Sequence, residues 1–529
     1  MDIGLIGRVS ERRLVGEALA APDVTQVRIC GPSGSGKTAL AMAALADADA
    51  GGMLSGWGKY TDGETRSVFG PVMAGLRQLV DRALDQLYEP DAGLNSLAAT
   101  LGDSYAALAR AGLTIDGLAA PQIATGGGRR EGAVRVTAAA LTLARWLDGF
   151  GCPVVLLIDD AFRAPPEAAA MLAALANRSA AVPWTIVSTL RENDRKARAG
   201  TRVLTLEPMP VGDRLVLLEC ALGSQQAARR VFDWFGSEKL AMPGNIIEAA
   251  RAIQRSQALV ADGGELRVVP ARLFQGAGDV LKSVAHRISM LSPSADLLAL
   301  AGALWGDSAP LDGLAHALRW PYEGLCEAAD ELVQSGIVAV DRDALRFTHD
   351  QVRAGVLDVA ATAERQRICV RMAARLIEAS EPSWTTTALH FRLTAGLDDA
   401  NPAVWRDRFA DGAAVARGRA NAAVAGAFAE AAWQLRQRAG PAAGNADRLL
   451  IKEALLAAAD REDTVAVHER ARLLIDGAGE TSAIAEAYEL AIYALWTVRA
   501  AEACWSLACE GLRRFGVHIP FRPTRLAWL

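Results

Sequence analysis

The sequence predicts an α/β core built on a mainly parallel sheet, followed by an almost wholly helical remainder. Three observations point there. Over roughly the first 200 residues, short β-branched or apolar runs alternate with long Ala/Leu helical patterns. A glycine-rich loop, Gly31-Pro32-Ser33-Gly34-Ser35-Gly36-Lys37-Thr38, separates the first such run from a helix. From about residue 208 the pattern turns helical. Strands separated by helices pair in parallel, and such sheets bind ligands at the carboxyl ends of their strands.

Composition bounds what those elements can be. At roughly 100–200 residues per domain, 529 residues allow three or four domains, each with its own core. A hydrophobic share of 51% excludes disorder as the main state. The net charge of -5 argues against broad nucleic-acid coating, which needs a concentrated basic face. The mean hydropathy of +0.15 comes largely from Ala, and charges interrupt every stretch long enough to span a bilayer. Met1-Asp2-Ile3-Gly4 has no basic region leading into an apolar one, so no secretory signal is read. The seven cysteines are scattered without a CxxC pair, which favours reduced thiols over disulfides or zinc. A cytoplasmic location is the expectation.

The first element, Val27-Arg28-Ile29-Cys30, reads as a strand entering the glycine loop, and Thr38 to Ala46 reads as the helix leaving it. The loop fits GxxxxGK[ST] at every fixed position. Its glycines let backbone N–H groups turn inward on phosphate oxygens, Lys37 brings positive charge to them, and the Thr38 hydroxyl suits Mg²⁺. Gly31, Ser33, Gly34, Ser35, Gly36, Lys37, Thr38 and Ala39 are therefore candidate nucleotide-binding residues. The helix adds its positive dipole end. Thr125-Gly126-Gly127-Gly128-Arg129-Arg130 reads as a loop between two helical stretches.

Cys152 to Asp160 is a buried strand ending in two carboxylates. Alone, such a run is a strand stopped by a helix cap. Beside the glycine loop, Asp159 becomes a candidate to hold Mg²⁺ through water, and Asp160 to orient or deprotonate an attacking water. Pro183 to Arg191 is the next strand; Arg191 is either a contact to a terminal phosphate or an exposed strand-end cation.

The remaining pattern divides the chain into a core over 1–205, a helical lid over 206–268, a compact unit over 269–361, and helical repeats over 362–529. The lid breaks at Met242-Pro243-Gly244-Asn245. Two short extended runs around Asp341-Arg342-Asp343 read as a β-hairpin, the wing of a winged helix. Small/large alternation near Ala425, Val465 and Ala501 suggests stacked helical hairpins with a concave surface for a partner. Pro520 to Leu529 show no polar capping helix.

These pieces, in this order, resemble the STAND class of signalling ATPases, in the AAA-like branch of bacterial regulators. Leu5-Ile6-Gly7-Arg8-Val9-Ser10-Glu11 is similar to the family's hhGRxxE entry motif, which implies that Ile6, Gly7 and Arg8 lie beside adenine. Gly56 to Tyr60 and Arg66 to Pro71 look like the segment after the first helix, and Leu157 to Ala161 matches the family's Walker B. Ser188 to Arg191 looks like its sensor strand, which favours the phosphate role of Arg191. Pro243-Gly244-Asn245-Ile246 is similar to the GNP-type lid motif and implicates Asn245, with Ile246 where the family has proline. Phe347 to Arg353 resembles the FxHDxxR motif, whose His, here His349, would contact the β-phosphate of ADP.

The resemblance implies an ATP/ADP-binding, Mg²⁺-dependent switch with slow hydrolysis. Lys37, Asp160 and Arg191 would be its catalytic residues, and Thr38 and Asp159 its metal-side pair. A protein partner or small-molecule signal would bind the repeats, and a nucleotide-dependent oligomer is compatible with the class. Relatives continue into output domains where this sequence stops, so a truncated signalling protein is the expectation. Two alternatives stand beside it, a DNA-associated ATPase using the winged helix and a nucleotide-binding scaffold without turnover. The near-neutral wing and the intact Lys37, Thr38 and Asp159 argue against them.

Overall fold

The computed structural model describes residues 5–60, 68–118, 129–178, 182–191, 200–255, 259–262, 265–268, 280–306, 308–341, 343–348, 350–379, 382–398, 401–419, 421–442 and 444–517. The glycine-rich stretch at 125–128, Arg342 and residues 520–529 lie outside them. The chain forms two compact units, one mainly of residues up to Arg365 and one mainly from Gln366 onward.

The first unit opens with α1 (Val9–Ala20), β1 (Gln26–Cys30), α2 (Lys37–Ala50), β2 (Leu54–Lys59), α3 (Gly70–Asp85), α4 (Pro90–Leu101) and α5 (Tyr105–Arg110). It continues with α6 (Arg129–Asp148), β3 (Val154–Asp159), α7 (Pro166–Ala176), β4 (Trp184–Leu190) and β5 (Thr201–Thr205). All five strands are parallel, in the order β2-β3-β4-β1-β5. Every residue of β3 is buried, as a central parallel strand covered on both faces requires. Because β4 lies between β1 and β3, the ends of all three open onto one crevice, where this fold class places its ligands.

Strands β2 and β5 add to the three expected from the sequence. The composition of β2, Leu-Ser-Gly-Trp-Gly-Lys, is poor for a strand. Its glycines serve a close approach by α3: a Cβ on Gly58 would lie 1.9 Å from the Pro71 carbonyl oxygen. Gly58→Ala is expected to push α3 off β2 and cost about 1–3 kcal/mol. A urea midpoint equal to that of the parent would contradict this packing.

Next come α8 (Val211–Leu222), α9 (Gln225–Phe235) and α10 (Pro243–Arg255), sharing a core of Leu218, Val231, Ile246 and Ile253. Buried Arg214 ties them down, donating from Nε to the Met209 carbonyl and from Nη1 to the Ser237 carbonyl at 2.8 Å. The helical run expected through residue 268 ends at Arg255. Strands β6 (Leu259–Asp262) and β7 (Glu265–Val268) follow as an antiparallel pair. In the sequence, Gly263-Gly264 between Leu259-Val260-Ala261 and the alternating Glu265-Leu266-Arg267-Val268 is a hairpin signal that the helical reading passed over.

The unit closes with α11 (Val280–Ser289), α12 (Pro293–Trp305), β8 (Ser308–Pro310), α13 (Leu311–Leu318), α14 (Tyr322–Gln334), β9 (Val338–Asp341), β10 (Ala344–Phe347) and α15 (Asp350–Val359). β9 and β10 pair antiparallel with Asp341 opposite Ala344, and β8 adds a third strand along β10. Helix α12 shows why it starts where it does: Ser292 accepts from the Ala295 N–H, and Pro293 occupies the first turn.

The rest of the chain is helical: α16 (Thr362–Glu378), α17 (Pro382–Ala395), α18 (Pro402–Gly418), α19 (Ala422–Ala439), α20 (Asn445–Asp460), α21 (Thr464–Asp476), α22 (Thr481–Thr497) and α23 (Ala501–Arg514). From α17 onward consecutive helices pack on one another, and α18 with α20 and α20 with α22 also touch, as stacked pairs do. Asn401, Asn421 and Asp463 cap α18, α19 and α21 by accepting the N–H three residues on. Alanines dominate the shared core, with Phe409 and Phe428 rings 5.6 Å apart at its centre. Arg417 of α18 reaches across to α20, with Nε 2.7 Å from Glu453 and Nη1 3.2 Å from Asp460. Among the described residues, no helix is long and apolar enough to cross a membrane.

Candidate nucleotide site

The loop between β1 and α2 turns through Gly34 and Gly36, whose φ angles of 77° and 92° are open to glycine. No side chain caps α2, so its first N–H groups, which have no partner inside the helix, are left for an anion. Lys37 Nζ donates to the carbonyl oxygens of Gly31 at 2.9 Å and Pro32 at 2.8 Å. Burial lowers the Lys37 pKa, the Asp160 and Asp159 carboxylates oppose that, and the Arg191 cation lowers it further. Ser35 is fully buried and its hydroxyl has no partner among the described residues. An orphaned hydroxyl, an uncapped helix start and an ammonium resting on neutral carbonyls fit a phosphate chain.

Asp159 ends β3 and is 1% exposed. Its carboxylate accepts from Thr38 Oγ1 at 2.9 and 3.0 Å and from Thr189 Oγ1 at 2.6 Å. The Thr189 oxygen in turn accepts the Asp160 N–H at 2.7 Å, which fixes the turn after β3. Asp160 takes a left-handed φ of 52° there. Lys59, the last residue of β2, is in register with Asp159; its Nζ lies 3.6 Å from Asp159 Oδ2 and 3.5 Å from Asp160 Oδ2. Thr38 and Asp159 form a set of hard oxygen donors that suits Mg²⁺. Arg191, one residue past β4, stacks its guanidinium over the Phe162 ring at 4.5 Å.

Helix α10 meets the loop directly. The Gly244 N–H donates to the Gly34 carbonyl at 2.9 Å, and a Cβ on Gly244 would lie 2.9 Å from Gly34 Cα. Two of the candidates at this border, Asn245 and Arg8, have partners within the fold. Asn245 donates from Nδ2 to the Lys239 carbonyl at 2.9 Å and so secures the turn before its own helix. Arg8, which the entry motif put beside adenine, is 3% exposed. It donates to Glu11 at 2.6 Å, to the Glu207 carbonyl at 2.6 Å and to the Ser35 carbonyl at 3.4 Å. Arg8 therefore braces the glycine loop from inside the fold.

The other predicted residues fall as follows. Ile6 packs on the core of α8 to α10, and Gly7 lies against Asp213 of α8. Ile246 is fully buried in that same core. Ser33 is exposed on the loop, and Ala39 is exposed in the first turn of α2. His349 lies outside the described residues. Lys59 and Thr189 were not among the sequence-based candidates, because only strand register brings them to Asp159.

Residues 4–187 match the AAA ATPase domain family. No functionally curated protein matches the chain. Among solved structures, the chain is similar to a signal transduction ATPase with numerous domains (STAND) with a tetratricopeptide repeat sensor, from Pyrococcus horikoshii. Identity is 13%, over 98% of this chain and 72% of that one, with a TM-score of 0.46. The Orc1 protein of Aeropyrum pernix in complex with DNA is 13% identical over 68% of this chain and 93% of its own, TM-score 0.30. A Walker-type ATPase of Pyrococcus abyssi is 11% identical over 67% and 96%, TM-score 0.29.

Proposed function

We propose that the chain is a STAND-type nucleotide switch that binds ATP or ADP at the glycine loop and hydrolyses ATP slowly. The observation that carries this reading is the convergence of Lys37, Thr38, Asp159 and Thr189 at the carboxyl ends of adjacent strands, with α10 hydrogen-bonded to the same loop. Lys37 exchanges its carbonyl partners for phosphate oxygens. Thr38, and Asp159 through water, would hold Mg²⁺, which when bound would neutralise phosphate charge. Asp160 orients the attacking water, and Arg191 leaves the Phe162 ring to meet the terminal phosphate. A phosphate that recruits Arg191 is a differential contact between the ATP and ADP states, which any ligand-driven switch requires.

In this reading 1–205 is the ATPase core, 206–268 the lid, 269–361 a winged helix whose His349 contacts ADP, and 362–529 a TPR-like array. The array binds a protein partner or small-molecule signal, the chain works in the cytoplasm, and oligomerisation follows nucleotide state. The DNA-associated alternative is weakened by the hairpin, where Arg346 is already paired with Asp341 at 3.2 Å.

The purified protein is expected to carry ADP or ATP at near-stoichiometric level. Denaturation and chromatography of the released nucleotide measure it. A protein that arrives empty and takes up neither nucleotide when supplied would sink the switch reading.

A further inference from the structure

Strand β2 has no part in the glycine-loop motif, yet its last side chain reaches the centre of the site. Register-paired residues of adjacent strands project to the same face, so Lys59 stands beside Asp159 by construction. Its ammonium bridges the two carboxylates at 3.6 and 3.5 Å, a charge contact longer than a tight hydrogen bond. Asp159 has hydrogen-bond donors other than Lys59, the Thr38 and Thr189 hydroxyls. What Lys59 supplies is positive charge against two neighbouring negative ones. With 37% of its side chain exposed and a flexible four-carbon stem, its ammonium has solvent within reach.

We propose that Lys59 is a tethered cation that holds the Asp159–Asp160 pair until a divalent metal displaces it, so that Lys59 sets the metal affinity of the nucleotide-bound site. This rests on Asp159 as the metal-side carboxylate of the function proposed above. An ammonium and a divalent ion cannot share the same few ångströms of the carboxylate face without repulsion. One enters as the other leaves. The carboxylates therefore stay neutralised when nucleotide is bound without metal, and metal uptake becomes a separate, weaker step than an uncompensated pair of aspartates would give.

The test is Mn²⁺ binding to the full chain loaded with ADP, followed by electron paramagnetic resonance. Two partly exposed ion pairs, each changing an equilibrium a few-fold, predict that Lys59→Met lowers the half-saturating Mn²⁺ concentration by about tenfold. Lys59→Arg keeps the charge and should stay at or above the parental value. Lys59→Gln serves as a second neutral variant if circular dichroism shows that Lys59→Met does not fold. Unchanged or weaker Mn²⁺ binding in the folded neutral variant, with ADP still bound, overturns the tethered-cation role alone. A parent that binds no ADP even with excess chelator overturns the nucleotide site and this role together.

Discussion

Lys37→Ala is expected to strip the chain of nucleotide while leaving its fold in place. The two effects separate because the hydrogen bonds Lys37 makes in the folded loop go to neutral acceptors, the carbonyls of Gly31 and Pro32. Losing those costs about 1–3 kcal/mol for each backbone oxygen that water does not reach, and Lys37 is only half-buried. Against a phosphate chain the same ammonium makes charge-assisted bonds worth about 1.5–3 kcal/mol each. ADP affinity should therefore fall by at least about a hundredfold, ~2.7 kcal/mol. Calorimetric titration with ADP reads the loss, and a thermal melt reads the fold. Parental ADP affinity in a folded variant would remove the glycine loop from the phosphate site.

The second large effect lies in the helical repeats. Arg417 is 11% exposed and faces Glu453, 5% exposed, and Asp460, 14% exposed. Burial works against its charge, but Glu453 and Asp460 more than restore it, so the net shift of its pKa is upward. Arg417→Ala would take the guanidinium away from two enclosed carboxylates, and breaking a buried pair in this way costs about 3–5 kcal/mol. Hydrogen exchange should show lost protection in α18 and α20, the helices that Arg417 joins. Adding Glu453→Gln should recover part of the loss, because a neutral amide needs no cation. Equal protection in Arg417→Ala and the parent would mean that the network adds nothing to the stack.

What the sequence made legible follows from distance along the chain. The glycine loop, Lys37 and Thr38 sit within eight consecutive residues, and Asp159 ends an apolar strand, so both are local patterns. Thr189 and Lys59 reach Asp159 only through the pairings of β3 with β4 and β2, which no local pattern records. Arg8 is the opposite case. Its motif position and its Glu11 partner are local, but the Glu207 carbonyl, equally close at 2.6 Å, is 199 residues away, so that brace was invisible. Asn245 has a nearer partner, the Lys239 carbonyl six residues back, a contact that its place in the motif does not record. Among the elements, β2 was unreadable because two of its six residues are glycines kept for the approach of α3. β8 has three residues, too few for any periodicity to register.

The hydrogen bond from Gly244 to Gly34 also pins one end of α10 to the glycine loop. Its 13 residues make a rod ~20 Å long, and the bond sits at one end. A tilt of ~10° about that pivot leaves the phosphate-loop end almost still and carries the Arg255 end through ~3 Å. Because α10 shares its core with α8 and α9, any such tilt would carry those two helices with it.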